Sequence, residues 1–419
     1  MHEIGTDTIY DRPVFILLEA LRRHIYVLGK SGMGKSGLLE LLALALFEAG
    51  QGFAFFDPHG QSAEKIADCT PKEAFDRTIY FDASDTGYSY AYNILDDVQD
   101  TALCIENVLA VFVHVLGLPT PAKRTFYDRV RVELIRNSLR LLLDTPGQTL
   151  LDIARVLSDD DYRQQLTANT TDQDVRGFWE GRFAQWSPRE HREYTEGLLA
   201  DLSQLFTEHV QRVVGHKRST IRPARIMNEG KALICNFSKG RLGAEPSYLL
   251  QALFLTGFAQ AAHARASIPE ERRLDFTAIV DEVQNAATTT AVDVLAEARK
   301  YRFSLVAANQ YLSQLPEYLR DALFGAASTL VSFRVSNQDA KEIASELTLP
   351  NPDRLKDLPL YEAFIKTIDA KGNPTMPTQF KTHKPPESGG QFARVRRRSR
   401  ARYARKVKPP RTKQPRPSW

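Results

Sequence analysis

Short, fully apolar runs alternate with longer apolar or amphipathic stretches along most of this 419-residue chain. Apolar runs of strand length, bounded by polar or turn residues, are typical of the buried parallel strands of an α/β sheet. Such runs occupy residues 24–28, 51–57, 78–82, 231–237, 274–282, 303–310, 328–334 and 361–368. Helices are predicted between them, at about residues 38–47, 248–264 and 289–301, and residues 1–23 are predicted to be an edge element. The pattern therefore predicts an α/β fold with seven or eight strands.

The pattern changes between about residues 98 and 211, where apolar residues recur at every third or fourth position and alternating runs disappear. This spacing is typical of amphipathic helices. We therefore predict an all-helical insertion at residues 98–215, which divides the sheet domain into residues 1–97 and residues 216–380. One predicted helix of the insertion carries recurring arginines, which form either a phosphate-contacting face or an ordinary solvated face: Arg124, Arg129, Arg131, Arg136 and Arg140.

The net charge of +4 conceals an uneven distribution. From Lys381 onward the chain has fourteen lysines and arginines and one acidic residue, Glu387, so this tail carries about +13 and the rest about −9. We predict a disordered basic tail at residues 381–419, because its apolar content is too low for independent folding. Such a tail binds phosphate backbones without sequence preference. The alternatives are a solubilising or membrane-surface role, or folding back onto the acidic body when DNA is absent.

The spacing of the cysteines and the hydropathy of the chain indicate the cellular compartment of the protein. Cys69, Cys104 and Cys235 lie far apart without metal-ligand spacing, which indicates reduced thiols of a cytoplasmic protein. The sequence shows no secretory signal, and no apolar run reaches the length of a membrane span. The longest such run, residues 248–262, is shorter and contains two glutamines, so a buried helix explains it better. We expect a cytoplasmic protein without a transmembrane segment of its own.

The clearest chemical motif follows the first apolar run. Residues 29–36 have the spacing G-x-x-x-x-G-K-[ST], with a predicted strand in front and a predicted helix behind. Glycines allow consecutive N–H groups to point inward, and the following helix N-terminus attracts phosphate. The predicted nucleotide-binding residues are Gly29, Lys30, Ser31, Gly32, Met33, Gly34, Lys35 and Ser36. Lys35 is expected on the β- and γ-phosphates of ATP, and Ser36 on Mg²⁺.

Polar side chains end three other predicted strands. Asp281 is expected to ligate Mg²⁺, and Glu282 to polarise the water that attacks the γ-phosphate. Gln310 either senses the γ-phosphate or makes a cap or loop hydrogen bond. Asp57 and His59 either lie near the nucleotide or form a simple turn, because ligands of open α/β sheets gather at the carboxyl ends of the strands.

Several segments together resemble the HerA/FtsK superfamily of ring ATPases. These segments are residues 29–36, 57–60, 228–243, 280–285, 296–301 and 308–315. Within the superfamily the chain looks most like the cytosolic ATPase domain of conjugative coupling proteins of the TraG/TraD type, over about residues 20–370. The resemblance implies a RecA-like motor domain with an all-helical insertion. It also implies a homo-hexamer that surrounds DNA and hydrolyses ATP at its subunit interfaces to pump the DNA through the ring.

The resemblance assigns the loop, the acidic pair and Gln310 the roles given above and adds one residue. Arg299 matches the arginine that such motors insert into a neighbouring subunit's site, where it neutralises charge on the transferred phosphoryl group. Arg302, Arg320 and Arg334 are alternatives for this role, and a surface salt bridge is the other interpretation of Arg299.

Coupling proteins usually carry N-terminal transmembrane helices, and none is found in this sequence. The chain is predicted to be a DNA-translocating ATPase of the type IV secretion coupling kind, using ATP and Mg²⁺. It is expected in the cytoplasm, or peripheral to the inner membrane through a secretion-channel or relaxosome partner. The alternatives are a soluble HerA-like helicase or translocase in DNA processing or genome packaging, a nucleotide-stabilised substrate adaptor, and a regulatory NTPase switch or kinase.

Overall fold

A computed structural model of the protein describes residues 1–289 and 297–407. The strands are β1 (His2–Asp7), β2 (Pro13–Ile16), β3 (Ile25–Leu28), β4 (Gly52–Asp57), β5 (Thr78–Asp82), β6 (Tyr88–Tyr90), β7 (Ala232–Asn236), β8 (Phe276–Val280), β9 (Phe303–Asn309), β10 (Thr329–Ser332), β11 (Glu362–Lys366), β12 (Thr378–Thr382) and β13 (Ala404–Lys406).

The α-helices are α1 (Leu18–Leu21), α2 (Lys35–Glu48), α3 (Gln61–Asp68), α4 (Thr101–Val115), α5 (Phe126–Leu143), α6 (Asp152–Ser158), α7 (Asp160–Asn169), α8 (Gln173–Arg176), α9 (Pro188–Leu205), α10 (Glu208–Val214), α11 (Pro223–Asn228), α12 (Lys239–Leu242), α13 (Ala244–Ala264), α14 (Glu317–Ala326), α15 (Asn337–Glu346), α16 (Asp353–Lys356) and α17 (Phe392–Tyr403). Short 3₁₀ turns lie at Lys72–Arg77, Pro121–Lys123, Arg265–Ser267, Glu270–Arg272, Val283–Asn285, Ala298–Tyr301 and Leu312–Gln314, and a π-helical turn at Gly177–Phe183. The helix predicted at residues 289–301 falls largely on residues 290–296, which lie outside the described residues.

Among the described residues, eleven strands form one sheet in the order β2-β1-β12-β11-β10-β3-β9-β8-β4-β7-β5. Every pair from β10 to β5 is parallel, and every pair from β10 outward to β2 is antiparallel. The predicted α/β fold is confirmed, and the eight apolar runs all form strands of this sheet. The carboxyl ends of the parallel strands share one edge of the sheet, where ligands of such folds bind.

Both faces of the sheet are covered, which explains why its central strands are apolar without alternation. In β4, the Phe53 and Phe55 side chains belong to the hydrophobic cluster under α2 and α3. Ala54 and Phe56 point the other way, into the cluster shared with α13 and α4. Phe254 of α13 packs edge-on against Phe56, with ring centroids 6.4 Å apart. Two hydrophobic layers therefore hold the sheet rigid behind its carboxyl edge.

Between β6 and β7 the described chain contains helices but no strand, in agreement with the helical pattern seen there. The insertion contacts the sheet domain where α4 packs on α13. Three of the five arginines form ion pairs within the insertion: Arg131 with Asp201, Arg136 with Glu106, and Arg140 with Asp172. These ion pairs favour the interpretation of the arginine-bearing helix as an ordinary solvated face.

The prediction of a disordered tail from residue 381 is wrong for residues 381–407, whereas residues 408–419 lie outside the described residues. The tail begins inside β12, continues into α17, and ends in β13, which pairs with β6. Helix α17 packs on α3 and along β5, the edge strand of the sheet. The Ser399 hydroxyl accepts a hydrogen bond from the Tyr80 backbone N–H at 2.8 Å. An otherwise unpaired N–H of the sheet edge is thereby satisfied.

Charge pairing with the body explains how such a basic segment folds. Arg400 Nε donates to Asp85 at 2.7 Å, and Arg398 and Arg402 both pair with Asp76. The apolar contribution is small, with Val395 the main buried side chain of the helix. The segment therefore folds against acidic residues more than 300 positions away in the chain, which agrees with the alternative that the basic tail folds back onto the acidic body.

The described residues include no helix with both the length and the hydropathy that a bilayer crossing requires.

Candidate functional site

The glycine-rich loop lies at the carboxyl edge of the sheet, between the end of β3 and the first turn of α2. Gly34, the residue before α2, has φ 115° in the left-handed region. A Cβ at this position would lie 3.1 Å from the Tyr361 ring and 3.2 Å from the Phe333 ring. Glycine is therefore required here both for the backbone conformation and for the close approach of two aromatic side chains.

A cavity of about 350 Å³ opens in front of this loop. Its lining residues come from the loop and from the ends of neighbouring strands: Ser31, Gly32, Gly34, Lys35, Ser36, Gly37, His59, Asp281, Glu282, Gln310 and Tyr361. The structure thus brings together the loop serines and lysine, the acidic pair and the glutamine that the sequence singled out. Gly29, Lys30 and Met33 belong to the loop but are not among the lining residues.

Ser36 and Asp281 form the part of the cavity suited to a divalent cation. The Ser36 hydroxyl donates to Asp281 Oδ2 at 3.5 Å. Burial, with the Glu282 carboxylate next to it, raises the pKa of Asp281 to about 7 despite the opposing charge of Lys35. Hydroxyl and carboxylate oxygens are ligands that Mg²⁺ prefers, and the ion commonly takes one or two carboxylates together with substrate phosphates. These residues fit Mg²⁺, and a cation here would compensate a buried negative charge.

Lys35 is buried at the base of the cavity, with 6% of its surface exposed. Its ammonium group donates to the Lys30 carbonyl at 3.3 Å, inside the loop itself. Burial lowers the pKa of Lys35, and the Asp281 and Glu282 carboxylates oppose that shift. A buried ammonium at the first turn of a helix provides a strong point of attraction for phosphate.

Glu282 is held at both of its carboxylate oxygens. Gln310 Nε2 donates to Oε1 at 2.6 Å, and Gln284 Nε2 donates to Oε2 at 2.5 Å. The Glu282 backbone is left-handed, with φ 53°, a conformation that costs about 1–3 kcal/mol for a residue other than glycine and that clusters at functional sites. The sequence indicated Gln310 but missed Gln284, because the contact depends on the 3₁₀ turn that follows Glu282.

Asp57 and His59, for which two interpretations were open, have different places. The Asp57 carboxylate accepts hydrogen bonds from the backbone N–H groups of His59, at 2.7 Å, and of Ala63, at 2.8 Å. It therefore builds the turn from β4 into α3, as the simpler interpretation had it. The residue from this turn that lines the cavity is His59.

Arg299 lies far from the cavity of its own chain. It is exposed on the short turn before β9, whereas Gln310 follows the other end of that strand. A seven-residue strand spans about 23 Å, so Arg299 lies at the opposite edge of the sheet. Of the alternatives, Arg302 and Arg320 form ion pairs within the chain, and Arg334 donates to a backbone carbonyl. Action of Arg299 in a neighbouring subunit stays a prediction.

No protein-family profile and no curated protein sequence matches this chain. Solved structures do match. The plasmid coupling protein TrwB in complex with the GTP analogue GDPNP has a TM-score of 0.66 at 19% identity, over 93% of this chain and 92% of that chain. TrwB in complex with ADP and Mg²⁺ gives 0.65 at 18% identity, over 94% and 92%. VirB4 of Thermoanaerobacter pseudethanolicus gives 0.57 at 14% identity, over 92% and 96%. The chain therefore has the fold of the plasmid coupling protein TrwB and of VirB4.

Proposed function

We propose that this chain is an ATP hydrolase that translocates DNA, of the kind that couples DNA to type IV secretion. The observation that carries the proposal is the convergence of Lys35, Ser36, Asp281, Glu282 and Gln310 on one cavity at the carboxyl edge of the sheet. The fold shared with TrwB and VirB4 supports the choice of this class of P-loop ATPase over a small-molecule kinase or a regulatory switch.

Each residue has a definite part in the proposed reaction. Lys35 and the loop N–H groups bind and orient the triphosphate. Ser36 and Asp281 would hold Mg²⁺, which when bound neutralises charge on the phosphate oxygens. Glu282 accepts a proton from the attacking water, and Gln310 and Gln284 fix the direction of its carboxylate.

The proposal extends to assembly and partners. Because Arg299 is exposed at the edge opposite the cavity, it suits a role in the site of a neighbouring subunit, as in a homo-hexameric ring. DNA would pass through that ring, and a secretion channel or relaxosome would receive or supply it at the membrane's cytoplasmic face. The arginines of α17 that pair with Asp76 and Asp85 are engaged within the chain, so we do not propose them as DNA contacts.

Separating nucleotide binding from turnover tests the enzymatic part. We expect Glu282→Gln to retain ATP affinity while turnover falls about 100-fold or more, the worth of a general base. Lys35→Ala should weaken ATP binding itself. Glu317→Gln, a change of the same type at an exposed helix position, is the matched control and should leave both quantities unchanged. Turnover at the wild-type level in Glu282→Gln would contradict the assignment.

A further inference from the structure

Tyr361 lines the cavity, although nothing in the sequence marked it. It immediately precedes β11, and its backbone is fixed against the phosphate loop. Its N–H donates to the Met33 carbonyl at 3.1 Å, and its carbonyl accepts from the Thr382 N–H at 2.8 Å. Its φ is 66°, in the left-handed region that side chains other than glycine rarely adopt. An aromatic ring is thus held in a disfavoured backbone conformation at the loop, while 41% of the residue stays exposed.

The position of Tyr361 corresponds to the base end of a nucleotide. The backbone N–H groups of a phosphate loop cradle the α- and β-phosphates, and its lysine reaches the β- and γ-phosphates, so the γ-phosphate lies toward the catalytic carboxylate. Glu282 and Gln310 follow β8 and β9, on one side of β3. Tyr361 precedes β11, which lies beyond β10 on the other side of β3. A triphosphate aligned along the loop therefore has its nucleoside directed toward Tyr361.

The C-terminal segment forms a second boundary at this end. A Cβ placed on Gly37, in the first turn of α2, would lie 3.6 Å from Cδ of Pro385. The Lys384 ammonium group lies 6.0 Å from the centroid of the Tyr361 ring. The chain after β12 thus passes beside both the helix start and the ring, and Tyr361 stays partly exposed where it lines the cavity.

We propose that the Tyr361 ring stacks on the base of the bound nucleoside triphosphate. The inference rests on the proposed ATPase function and deepens it, since it names the residue that binds the base in the same site. Stacking uses the π-face that every base has, so the contact favours nucleoside triphosphates over inorganic polyphosphate without choosing strongly between adenine and guanine.

Equilibrium binding to ATP, GTP and inorganic tripolyphosphate, each with Mg²⁺, tests the inference. Asparagine tolerates the left-handed backbone but lacks a ring, so Tyr361→Asn removes stacking with little strain. We expect Tyr361→Asn to raise the Kd for ATP and for GTP about ten- to hundredfold, the worth of one base–aromatic stack, and to leave the Kd for tripolyphosphate within about twofold. Tyr361→Phe should bind all three as the wild type does. Tyr318→Asn, at another exposed tyrosine, is the matched control.

A second measurement does not depend on an affinity loss. Tyr361→Trp adds an indole at this position, and its fluorescence is the variant's signal minus that of the wild type. ATP should quench this fluorescence, and tripolyphosphate should not.

Equal weakening of all three ligands in Tyr361→Asn, unchanged ATP affinity, or the absence of selective quenching would each overturn the stacking contact. A wild-type protein that binds neither ATP nor tripolyphosphate would instead contradict the proposed function. The two failures are therefore distinguishable.

Discussion

The two hydrogen bonds to Glu282 lead to a prediction in which activity and stability change separately. Gln284→Met removes the donor to Glu282 Oε2 while keeping a side chain of similar length, and Gln310 still holds Oε1. A hydrogen bond to a charged group is worth about 1.5–3 kcal/mol. If that energy is used to orient the carboxylate in the transition state, the catalytic rate constant should fall about 10- to 100-fold. The KM for ATP should stay unchanged, because Gln284 is not among the residues that line the cavity.

Stability should not fall with activity. Gln284 Oε1 is buried and has no hydrogen-bond partner among residues 1–289 and 297–407. Removing this acceptor relieves a desolvation penalty of about 1–3 kcal/mol, which offsets the cost of leaving the buried Glu282 Oε2 without its donor. We therefore expect the free energy of unfolding of Gln284→Met, measured in urea, to stay close to that of the wild type.

Steady-state ATP turnover and urea unfolding of wild type, Gln284→Met and the exposed control Gln338→Met test both parts. Two results would contradict a positioning role for Gln284. A kcat that is unchanged or raised would show that Gln284 does not position Glu282 for catalysis. A proportional loss of stability and turnover would show that the residue matters only for folding.

Two further predictions concern contacts outside the cavity. Burial lowers the pKa of His114 below its ordinary 6.5, and its Nε2 lies 3.2 Å from the Asn285 carbonyl oxygen, so the folded protein favours the neutral ring. The free energy of unfolding should therefore fall as the pH drops below 6.5, and His114→Gln should make that fall less steep. An identical pH dependence of stability in the two proteins would contradict this. Ser399→Ala should lower the free energy of unfolding by about 1–3 kcal/mol, because the Tyr80 backbone N–H loses its hydrogen-bond acceptor. Ser399→Thr keeps the hydroxyl and should not lower it. Equal stability of the two variants in urea would contradict this.

The central sheet could be predicted because its strands are buried on both faces and therefore appear as continuous apolar runs, as Gly52–Asp57 and Phe276–Val280 do. The antiparallel strands at the other end of the sheet were harder to predict from the sequence. Strands β1 and β12 are partly exposed, and they mix apolar with polar residues. Two-sided burial, rather than strand propensity, made a strand detectable in this sequence.

The phosphate loop and the acidic pair could also be predicted, since their chemistry requires fixed residue types at fixed spacing. Gln284 could not, because its contact depends on the local 3₁₀ turn after Glu282. Tyr361 could not, because only the folded sheet brings it from far along the chain to the phosphate loop. The basic tail was misjudged for the same reason. The charge difference between tail and body allowed a fold-back, but its folding depends on Asp76 and Asp85, and no local pattern in residues 381–407 identifies those two partners.

The most direct test of the central claim is ATP turnover by the purified chain with and without single- and double-stranded DNA, over a salt series, in wild type and in Glu282→Gln. We expect that DNA raises wild-type turnover, that this effect weakens as salt rises because phosphate contacts are screened, and that Glu282→Gln shows no stimulation. Turnover equally fast without DNA at every salt concentration would contradict the translocase claim. Negligible turnover under all conditions would contradict it as well and favour a nucleotide-stabilised adaptor.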